Sequence, residues 1–503
     1  MPDTTGDIAA SHKIPALCGN IIGGETYTQG DQIPVICPET EEVVTHAVEA
    51  DDETLDLAIR TAQETFEQGE WSKASSDHRQ KVLFRIADLI EKHQEELAWL
   101  ETLNIGAPIR QSETRHVTRA VLNFRFFAEY CSQTSGDAYY QQPDYLTVVT
   151  REPVGVAALI GPWNAPIALT TMKIAGAIAF GNSCVVKPSE FSPLTAFRVT
   201  QLLLEAGLPE GVVNLVNGRG GSTGAALSSH DGIDRLSFTG GTATGRAIMS
   251  AAGKNLVPVT LELGGKSANI IFDDADYEQA LDGSLLGIFS NNGQQCLAGS
   301  RILVQRSIFD RFVADFVSRT NNLRMGSSFD RRTEIGPLAT KSHFNRVLSF
   351  ADLAREEGCE ILTGGRAADG YSSGYFFEPT VAVTPRNDLR ICQEEIFGPF
   401  ATIQVFDTPE DAWRIANESD FGLVSYVWTS SLETATTAHK AIKAGMVLIN
   451  TPIVRELRAP FGGFKDSGVG SESGASCEAF YTEQKTTVIP MAKPTLPKLG
   501  SEA

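Results

Sequence analysis

Residues 154–188 read VGVAALIGPWNAPIALTTMKIAGAIAFGNSCVVKP, in which two short apolar runs flank a longer stretch rich in Ala and Ile. The runs at 154–161 and 183–188 are bounded by Gly or Pro, which is typical of buried strands. The stretch at 166–181 is long enough for a helix. A strand, a helix and a second strand in this order predict two parallel strands joined by a helical crossover.

The same alternation continues toward the C-terminus. Further strand-like runs are VVNLVNG (212–218), RLSFTG (235–240) and TLELGG (260–265), separated by helical stretches at 192–207, 220–229 and 242–252. A second series begins near residue 266 and comprises ANIIF (268–272), RILVQ (301–305), ATIQVF (401–406) and MVLIN (446–450). Strands that are apolar along their whole length are covered on both faces. The pattern therefore predicts an α/β protein with doubly wound parallel sheets.

The part of the chain before residue 152 has a different pattern. Apolar residues recur there at helical spacing, and one polar-flanked run is typical of an exposed strand. We predict helices at 52–69, 76–104 and 110–131 and a strand at 144–151.

Composition and charge exclude several classes of protein. The chain has 503 residues, of which 42% are hydrophobic and 21% charged, so it is not intrinsically disordered. A length of this order predicts roughly three domains. Lys and Arg number 42 and Asp and Glu 62, which gives a net charge of −20. That charge argues against nucleic acid and an anionic membrane surface as partners, while a local basic site could still bind an anionic small molecule.

The cysteines and the termini indicate a cytoplasmic protein. None of the eight Cys residues lies in a C-x-x-C pair, so we predict neither a metal site nor a disulfide framework. The first residues, MPDTTGDIAASHK, lack the basic and apolar regions of a signal peptide. No uncharged apolar run approaches ~18 residues, so no transmembrane helix is expected.

Cys296 is the strongest candidate for a nucleophile. It lies in SNNGQQCLAGSR (290–301), a polar, Gly-flanked segment between an apolar helix and an apolar strand. A structural Cys would more often have aliphatic neighbours, whereas a reactive thiol needs access to a pocket and a lowered pKa. The alternative is a packed or merely exposed thiol.

Two further residues could complete acyl chemistry. Glu262, in LELGGKS (261–267), ends an apolar strand, and partial burial would raise its pKa toward that of a general base. A solvent-facing carboxylate at a strand end is the alternative. Asn164, in GPWNAPI (161–167), could donate to an oxyanion, or it could simply cap the next helix.

Two glycine-rich turns indicate a phosphate site. NGRGGSTG (217–224) and FTGGTATGR (238–246) each follow a strand and open a helix. Neither has the full G-x-G-x-x-G spacing, so a variant of the dinucleotide-binding fingerprint is the better interpretation. Lys187 and Glu190, in KPSE, follow another strand end, where a ribose would lie; a solvated charge pair is the alternative.

These segments together are much more specific than any one of them. Their order is G-P-W-N, K-P-S-E, F-T-G-x-T-x-x-G, E-L-G-G-K-S, G-Q-x-C, E-E-I-F-G-P and P-F-G-G-x-K-x-S-G. This order resembles the non-acylating, NAD(P)-dependent aldehyde dehydrogenase superfamily over residues from about 20 to 490. The resemblance implies a small aldehyde as the substrate and a homotetramer or homodimer.

The resemblance also implies three domains within the aldehyde dehydrogenase fold. Residues 1–130 and 151–263 would form the cofactor domain, and 264–464 the catalytic domain. A small β flap for oligomerisation would combine 131–150 with 480–490.

Roles follow from the resemblance residue by residue. Cys296 matches the catalytic thiol, Glu262 the general base, and Asn164 the oxyanion donor together with the main-chain N–H of Cys296. Lys173 matches a lysine behind the base. The expected cofactor contacts are Ile160, Pro162, Trp163, Lys187, Glu190, Gly220, Gly224, Phe238, Gly240, Gly241, Gly245, Leu263, Gly264, Glu395 and Phe397. Glu190 favours NAD over NADP, because a carboxylate accepts from the ribose 2′-OH and repels a 2′-phosphate.

The substrate is less strongly indicated. Arg455 and Arg458 lie on the loop that forms the substrate mouth in the family, and Arg119 lies on a helix lining it. Arginine clusters bind carboxylates. The sequence of this loop is similar to that of hydroxymuconic semialdehyde dehydrogenases. The alternatives are surface or interface arginines and a neutral or betaine aldehyde. The resemblance also places Met172, Leu297 and Phe461 along the channel.

Two rival functions remain at this point. A thiol hydrolase with a Cys–Glu pair would not need two glycine-rich turns or Glu395. A protein without enzymatic activity on this fold would be expected to lack Cys296, Glu262 or Asn164, and all three are present.

Overall fold

The computed structural model describes residues 14–140 and 142–500, and two large, mainly parallel sheets dominate it. The strands in chain order are β1 (Asn20–Ile22), β2 (Glu25–Tyr27), β3 (Gln32–Ile36), β4 (Val43–Val48), β5 (Asp137–Tyr139), β6 (Tyr145–Pro153), β7 (Val156–Ile160), β8 (Ser183–Lys187), β9 (Val213–Leu215), β10 (Arg235–Thr239), β11 (Val259–Glu262), β12 (Ala268–Ile271), β13 (Arg301–Gln305), β14 (Glu360–Thr363), β15 (Thr380–Val383), β16 (Phe400–Phe406), β17 (Phe421–Gly422), β18 (Val424–Trp428), β19 (Met446–Ile449), β20 (Phe464–Lys465), β21 (Gly468–Val469) and β22 (Thr482–Pro490).

Helices cover both faces of each large sheet. They are α1 (Asp52–Gln68), α2 (Ser76–Lys92), α3 (Gln94–Ile105), α4 (Ile109–Gln111), α5 (Thr118–Tyr130), α6 (Pro166–Ala179), α7 (Leu194–Glu205), α8 (Ala225–Ser229), α9 (Thr242–Ala252), α10 (Tyr277–Phe289), α11 (Phe309–Asn321), α12 (Lys341–Glu356), α13 (Arg390–Gln393), α14 (Pro409–Asn417), α15 (Leu432–Ala441) and α16 (Gly474–Tyr481). Within the described ranges, no helix is both long and apolar enough to cross a bilayer.

The first sheet has the strand order β2-β1-β9-β8-β7-β10-β11-β21. Strands β7 to β11 are parallel, and β1, β2 and β21 pair antiparallel at the edges. From β7 the chain runs outward through β8 and β9, then returns to place β10 and β11 on the other side. The strand order therefore reverses between β7 and β10, as in doubly wound sheets.

Alternating side chains of β7 explain why this sheet is buried on both faces. Ala157 and Leu159 pack with the cluster that holds α2, α3, α5, α6 and α7, whereas Val156, Ala158 and Ile160 pack with α1 and α9 on the other face. Period-two alternation with both faces apolar is what a two-sided core requires. The predicted fold class is confirmed.

The second sheet repeats this plan with the order β14-β15-β16-β13-β12-β18-β19. All neighbours except β14 and β15 pair in parallel. Ile271 and Ile302 pack against α10 and α11, and Ile270 and Leu303 pack toward α14 and α15.

A three-stranded antiparallel sheet projects from the two large ones, in the order β22-β6-β5. Thr482–Pro490 pairs with Tyr145–Pro153 along its whole length, so the sheet reaches three residues past the expected boundary at 150. Apolar side chains on it are exposed, namely Tyr139, Val488 and Ile489.

Three helical predictions were wrong in detail, and one of them is the helix at 110–131, which contains a π-helical turn at Ser112–Val117. The expected helix at 76–104 is interrupted at His93 (φ −99°, ψ 21°), whose ring lies 2.7 Å from Glu96 at the start of α3. The stretch at 220–229 begins with a π-helical turn at Gly220–Gly224 before α8. A pattern of apolar residues does not reveal such changes of helical pitch.

Candidate active site

A cavity of about 530 Å³ opens at the carboxyl ends of β7, β8, β10 and β11. Ligands of doubly wound sheets bind where the strand order reverses, and this cavity lies at that reversal. Cys296, Glu262 and Asn164 line it, so the structure brings together the three predicted chemical groups.

The predicted cofactor residues line the same cavity with one exception. Those that line it are Ile160, Pro162, Trp163, Lys187, Glu190, Gly220, Gly224, Phe238, Gly240, Gly241, Leu263, Gly264, Glu395 and Phe397. Gly245, which was predicted to contact the cofactor, is the exception and does not line the cavity. A Cβ at Gly245 would lie 2.6 Å from the side chain of Leu263, so this glycine lets α9 pack closely on Leu263.

The glycines leave room for a phosphate-bearing group. At Gly220 and Gly241 the space that a Cβ would fill is open within 4 Å. At Gly264 a Cβ would collide with the Glu395 carboxylate. Bare backbone beside the cavity is what close approach of a pyrophosphate requires, so these residues fit a dinucleotide.

Lys187 and Glu190 are not a solvated pair. The ammonium group of Lys187 is buried, donates to the Pro188 carbonyl at 3.0 Å and lies 3.9 Å from Glu190. Burial lowers the pKa of Lys187, and the negative charges of Glu190 and Glu49 oppose that change. A buried cation with so few partners is available to a ligand hydroxyl or phosphate.

The segment before Cys296 is held in an unusual conformation. Asn291 and Asn292 both have φ of 54°, in the left-handed region that few residues other than Gly and Asn adopt. Asn291 donates to the carbonyls of Asn164 (2.7 Å) and Gln294 (3.0 Å). The two turns that flank the cavity are thus joined by side-chain amides.

Asn164 is not the cap of the next helix. Helix α6 begins at Pro166 with Ala165 in the cap position, and the Asn164 side chain donates to the Gln294 carbonyl at 2.9 Å. An amide group carries two N–H donors, so one remains for a ligand in the cavity.

Cys296 is half-buried, whereas the other seven Cys residues are buried. Burial, with the charges of Glu395 and Glu262, raises the pKa of the Cys296 thiol to about 12, and the Arg455 guanidinium opposes this. The resting thiol is therefore protonated, and a cationic neighbour favours its thiolate.

Glu262 ends β11 with a side chain that is 3% exposed, which excludes the solvent-facing alternative. Neither carboxylate oxygen has a hydrogen-bond partner among the described residues. Burial and the Glu472 carboxylate raise its pKa well above the usual value, and the charges of Lys173 and Arg455 act in the opposite direction. Such a carboxyl group takes up a proton more readily than an ordinary carboxylate does.

Lys173 lies behind Glu262 and is paired with a residue that sequence reasoning missed. Its ammonium group lies 2.5 Å from Glu472 and 2.9 Å from the Ser237 hydroxyl, both buried. Ser237 in turn donates to Glu472 at 3.2 Å and accepts from Thr260 at 3.1 Å. Lys173 does not line the cavity itself.

The far wall of the cavity is formed by Glu395 and an aromatic cluster. Glu395 accepts from the Gly265 amide at 2.8 Å, and burial raises its pKa to about 7. The rings of Trp163 and Phe397 meet edge to face with centroids 5.3 Å apart. His343 donates to the Phe397 carbonyl at 2.6 Å, which supports the left-handed Phe397 backbone (φ 62°).

Arg119 and Arg455 interact electrostatically, and neither of them lines the cavity of about 530 Å³. Burial and, to a lesser extent, the positive charge of Arg455 together lower the pKa of Arg119 to about 10. Arg455 stacks over the ring of Phe461, with 4.0 Å to its centroid, and donates to the Ser473 hydroxyl at 3.0 Å. Within residues 14–140 and 142–500, neither arginine has an acidic partner.

Arg458 and Met172 were predicted to contact the substrate, but the structure places neither of them on the cavity wall. The Arg458 side chain is 79% exposed and makes two hydrogen bonds of 3.0 Å to Glu456, so it is a surface residue. Met172 is fully buried in the core that also holds Leu457, rather than on a channel wall. Leu297 is half-buried, and its carbonyl accepts from Tyr426 at 2.7 Å.

The model of the aldehyde dehydrogenase family matches residues 26–487. The chain belongs to the aldehyde dehydrogenase family. It is therefore an NAD(P)-dependent oxidoreductase, and the predicted family is confirmed.

Relatives of this aldehyde dehydrogenase include enzymes with different named substrates. The 5-carboxymethyl-2-hydroxymuconate semialdehyde dehydrogenase of Escherichia coli is 42% identical over 458 residues, which cover 90% of this chain and 97% of the relative. The crystal structure of HpcC from Thermus thermophilus superposes with a TM-score of 0.95 at 40% identity, covering 99% of this chain and 98% of that one. Betaine aldehyde dehydrogenase of Staphylococcus aureus, solved in complex with NAD+, gives a TM-score of 0.94 at 38% identity, covering 97% and 98%.

Several other residues in or next to the site of this aldehyde dehydrogenase were missed by sequence reasoning. His343 and Arg346 of α12 line the cavity but lie in an ordinary amphipathic segment. Glu472 lies in a polar turn, GSESG, that is typical of any surface loop. Asn291 was within reach of sequence reasoning, since two consecutive Asn residues before a Gly indicate a strained turn.

Proposed function

We propose that this enzyme oxidises an aldehyde bearing a remote carboxylate, of the hydroxymuconic semialdehyde type, to the dicarboxylic acid with NAD. The observation that carries the proposal is the pair Arg119 and Arg455, both half-buried and without an acidic partner among the described residues. The 42% identity to a hydroxymuconate semialdehyde dehydrogenase supports the same assignment.

Electrostatics explains why this pair favours an anion. Two partly desolvated cations that repel each other destabilise the empty site, and a carboxylate between them relieves both the repulsion and the lost hydration. Arg455 also acts on Cys296 and Glu262, so an anion held by it lies close to the reacting groups. A guanidinium binds a carboxylate through two parallel hydrogen bonds, which fixes the orientation of the substrate.

The chemical steps are assigned to the three residues in the cavity. The Cys296 thiol gives up its proton to solvent, and the resulting thiolate attacks the aldehyde carbon, while the free N–H of Asn164 and the main-chain N–H of Cys296 donate to the oxyanion. The bound nicotinamide cofactor supplies the hydride acceptor. Loss of hydride leaves an acyl thioester on Cys296. Glu262 then takes a proton from water as the water attacks that thioester, which releases the acid and restores the thiol.

Lys173 and Glu472 support the base in this proposal. The negative charge of Glu472 keeps the pKa of Glu262 high, and the Lys173 ammonium group limits the rise. A base whose pKa lies near the working pH transfers protons most effectively.

NAD rather than NADP is the proposed cofactor. Glu190 lines the cavity beside Gly220 and Lys187, where its carboxylate can accept from a ribose hydroxyl. A 2′-phosphate at this place would meet the same negative charge.

A betaine aldehyde is the second candidate, because the structural relatives include betaine aldehyde dehydrogenases. Its quaternary ammonium group would be repelled by Arg119 and Arg455, since neither arginine forms an ion pair in the described ranges. A neutral aldehyde would not compensate the positive charges of Arg119 and Arg455.

The test is a panel of aldehydes of equal chain length with a terminal carboxylate, a neutral end or a trimethylammonium end. Formation of reduced cofactor is followed with NAD and with NADP. The proposal expects the carboxylate series with NAD to have the highest kcat/KM. Equal kcat/KM values for charged and neutral ends would contradict the substrate assignment and leave the family assignment untouched.

Assembly and location are also proposed. The exposed apolar side chains of β5 and β22 suit a subunit interface, so we infer that the sheet β22-β6-β5 joins copies of the chain. All eight Cys residues are free thiols, which supports a reducing cytoplasm.

A further inference from the structure

The turn that leads from β9 into α8 carries an unusual set of hydrogen-bond donors. Arg219, Gly220 and Ser222 lie on it, and Gly220 lines the cavity beside Lys187. A guanidinium, a hydroxyl, a main-chain N–H and an ammonium group together are what a phosphate ester binds. In this chain, two carboxylates accept hydrogen bonds from donors of this turn.

Glu49 is the first of these carboxylates. It follows β4 and is tied to the turn through a backbone bridge to Asn217. Its carboxylate accepts from the Arg219 main-chain N–H at 3.1 Å, and from the Arg219 guanidinium and the Ser222 hydroxyl. The Glu49 side chain is only 12% exposed, whereas that of Arg219 is 52% exposed. The guanidinium is therefore held by a nearly buried anion although it could reach solvent.

Glu190 is the second carboxylate. It accepts from the Gly220 N–H at 3.3 Å and lies 3.9 Å from the Lys187 ammonium group. Glu49 and Glu190 thus approach the same turn from its two sides, and both act on Lys187.

We propose that Glu49 is a second residue selecting NAD over NADP, and that it acts by holding Arg219 and Ser222 away from a ligand phosphate. A 2′-phosphate beside Gly220 would gain most from a free arginine, since arginine matches phosphate geometry and an arginine near this place accommodates the 2′-phosphate in related cofactor sites. Glu49 holds that arginine, Arg219, in an ion pair, so its guanidinium is not free to bind the phosphate. Glu49 also places a negative charge beside the turn. Glu49 is a positioning residue in this proposal. This role rests on the proposed preference for NAD and is independent of which aldehyde is oxidised.

Cofactor binding without any aldehyde tests the proposal. Titration calorimetry with NAD and with NADP would compare wild type with Glu49→Gln, Glu190→Gln, the double variant, and Glu49→Gln combined with Arg219→Ala. Glu49→Asp, which keeps the charge but shortens the reach, covers the case in which Glu49→Gln does not fold. Glu378→Gln is the matched control, because Glu378 holds Arg366 at 3.0 Å in another surface ion pair away from the cavity.

The expected result is a change in the ratio of the two affinities. Glu49→Gln should tighten NADP about fivefold to tenfold and change NAD less than twofold, as expected for one partly exposed ion pair redirected to a phosphate. Combining Arg219→Ala with Glu49→Gln should abolish the gain in NADP affinity. Combining Glu190→Gln with Glu49→Gln should increase that gain. Glu49→Asp should give a smaller gain.

Three outcomes would overturn the proposal. An unchanged ratio in Glu49→Gln and Glu49→Asp would show that Glu49 does not select the cofactor. A gain that persists with Arg219→Ala would show that it does not act through Arg219. Equal weakening of both cofactors would make Glu49 purely structural.

Discussion

The side-chain amide of Asn291 donates to the main-chain carbonyl of Asn164 across 2.7 Å, and so joins the turn before the nucleophile to the turn that carries the oxyanion donor. The same amide reaches the Gln294 carbonyl, which also accepts from Asn164. The separation of the thiol from the oxyanion donor is thus fixed by three hydrogen bonds.

Asn291→Ala should lower kcat about tenfold to a hundredfold with little change in cofactor affinity, because misplacement of reacting groups by about 1 Å has effects of that size. The measurement is steady-state kinetics together with NAD binding. Asn291→Asp keeps the shape but loses the donated bonds and should show a similar loss. A kcat within twofold of wild type in both variants would contradict the positioning role.

Arg119→Ala and Arg455→Ala should each lower kcat/KM for a carboxylate-bearing semialdehyde roughly tenfold to a hundredfold, since a hydrogen bond to a charged group contributes about 1.5–3 kcal/mol. A neutral aldehyde of the same length should lose much less. The measurement is kcat/KM for both substrates with each variant.

Arg458→Ala is the matched control, since Arg458 lies on the same loop as Arg455 but points to solvent and pairs with Glu456. It should leave both substrates unchanged. Equal losses for the charged and the neutral substrate in Arg119→Ala and Arg455→Ala would make these arginines structural.

Glu262→Gln should raise the apparent melting temperature above pH 5, by about 2 °C, because a buried carboxyl group is replaced by a neutral one of the same shape. The sign follows from proton binding. The pKa of Glu262 is raised by burial, so between the ordinary value near 4.3 and the raised one the folded state binds more protons than the unfolded chain, and stability falls as pH rises.

The gain in Glu262→Gln should therefore vanish below about pH 4, where both states of the wild-type carboxyl group are protonated. Thermal unfolding at several pH values measures it. A variant less stable than wild type at pH 8 would show that ionised Glu262 is stabilised by its neighbours.

Most of the fold followed from the sequence because both large sheets are buried on two faces. A strand such as Val156–Ile160 has no polar position, and a Gly or Pro marks its end, so its place is visible without a structure. The interruption of the helix at His93 could not be predicted from the sequence, because apolar residues recur at helical spacing on both sides of it.

Residues at the carboxyl ends of strands were the predictable part of the site, since parallel strands bring these ends to one edge of the sheet. Glu262, Lys187 and Phe238 all follow this rule. Loops gave less. Arg455 and Arg458 are three residues apart, and nothing in the sequence tells which of them points inward.

Contacts between distant segments were the part that sequence could not supply. Glu472 lies 299 positions from Lys173 in the chain, and only folding places the two in contact. Met172 and Gly245 were assigned to ligands although their surroundings are other side chains of the core.

The mass of the intact Glu262→Gln protein tests whether the acyl group is carried as a thioester on Cys296. After mixing with aldehyde and NAD, this variant should release a burst of about one NADH per subunit and then gain the mass of the acyl group, because attack proceeds and hydrolysis is slowed. Both the burst and the added mass should be absent when Cys296→Ser is combined with it. Steady turnover by the double variant, or an acyl group that remains attached without Cys296, would contradict the account.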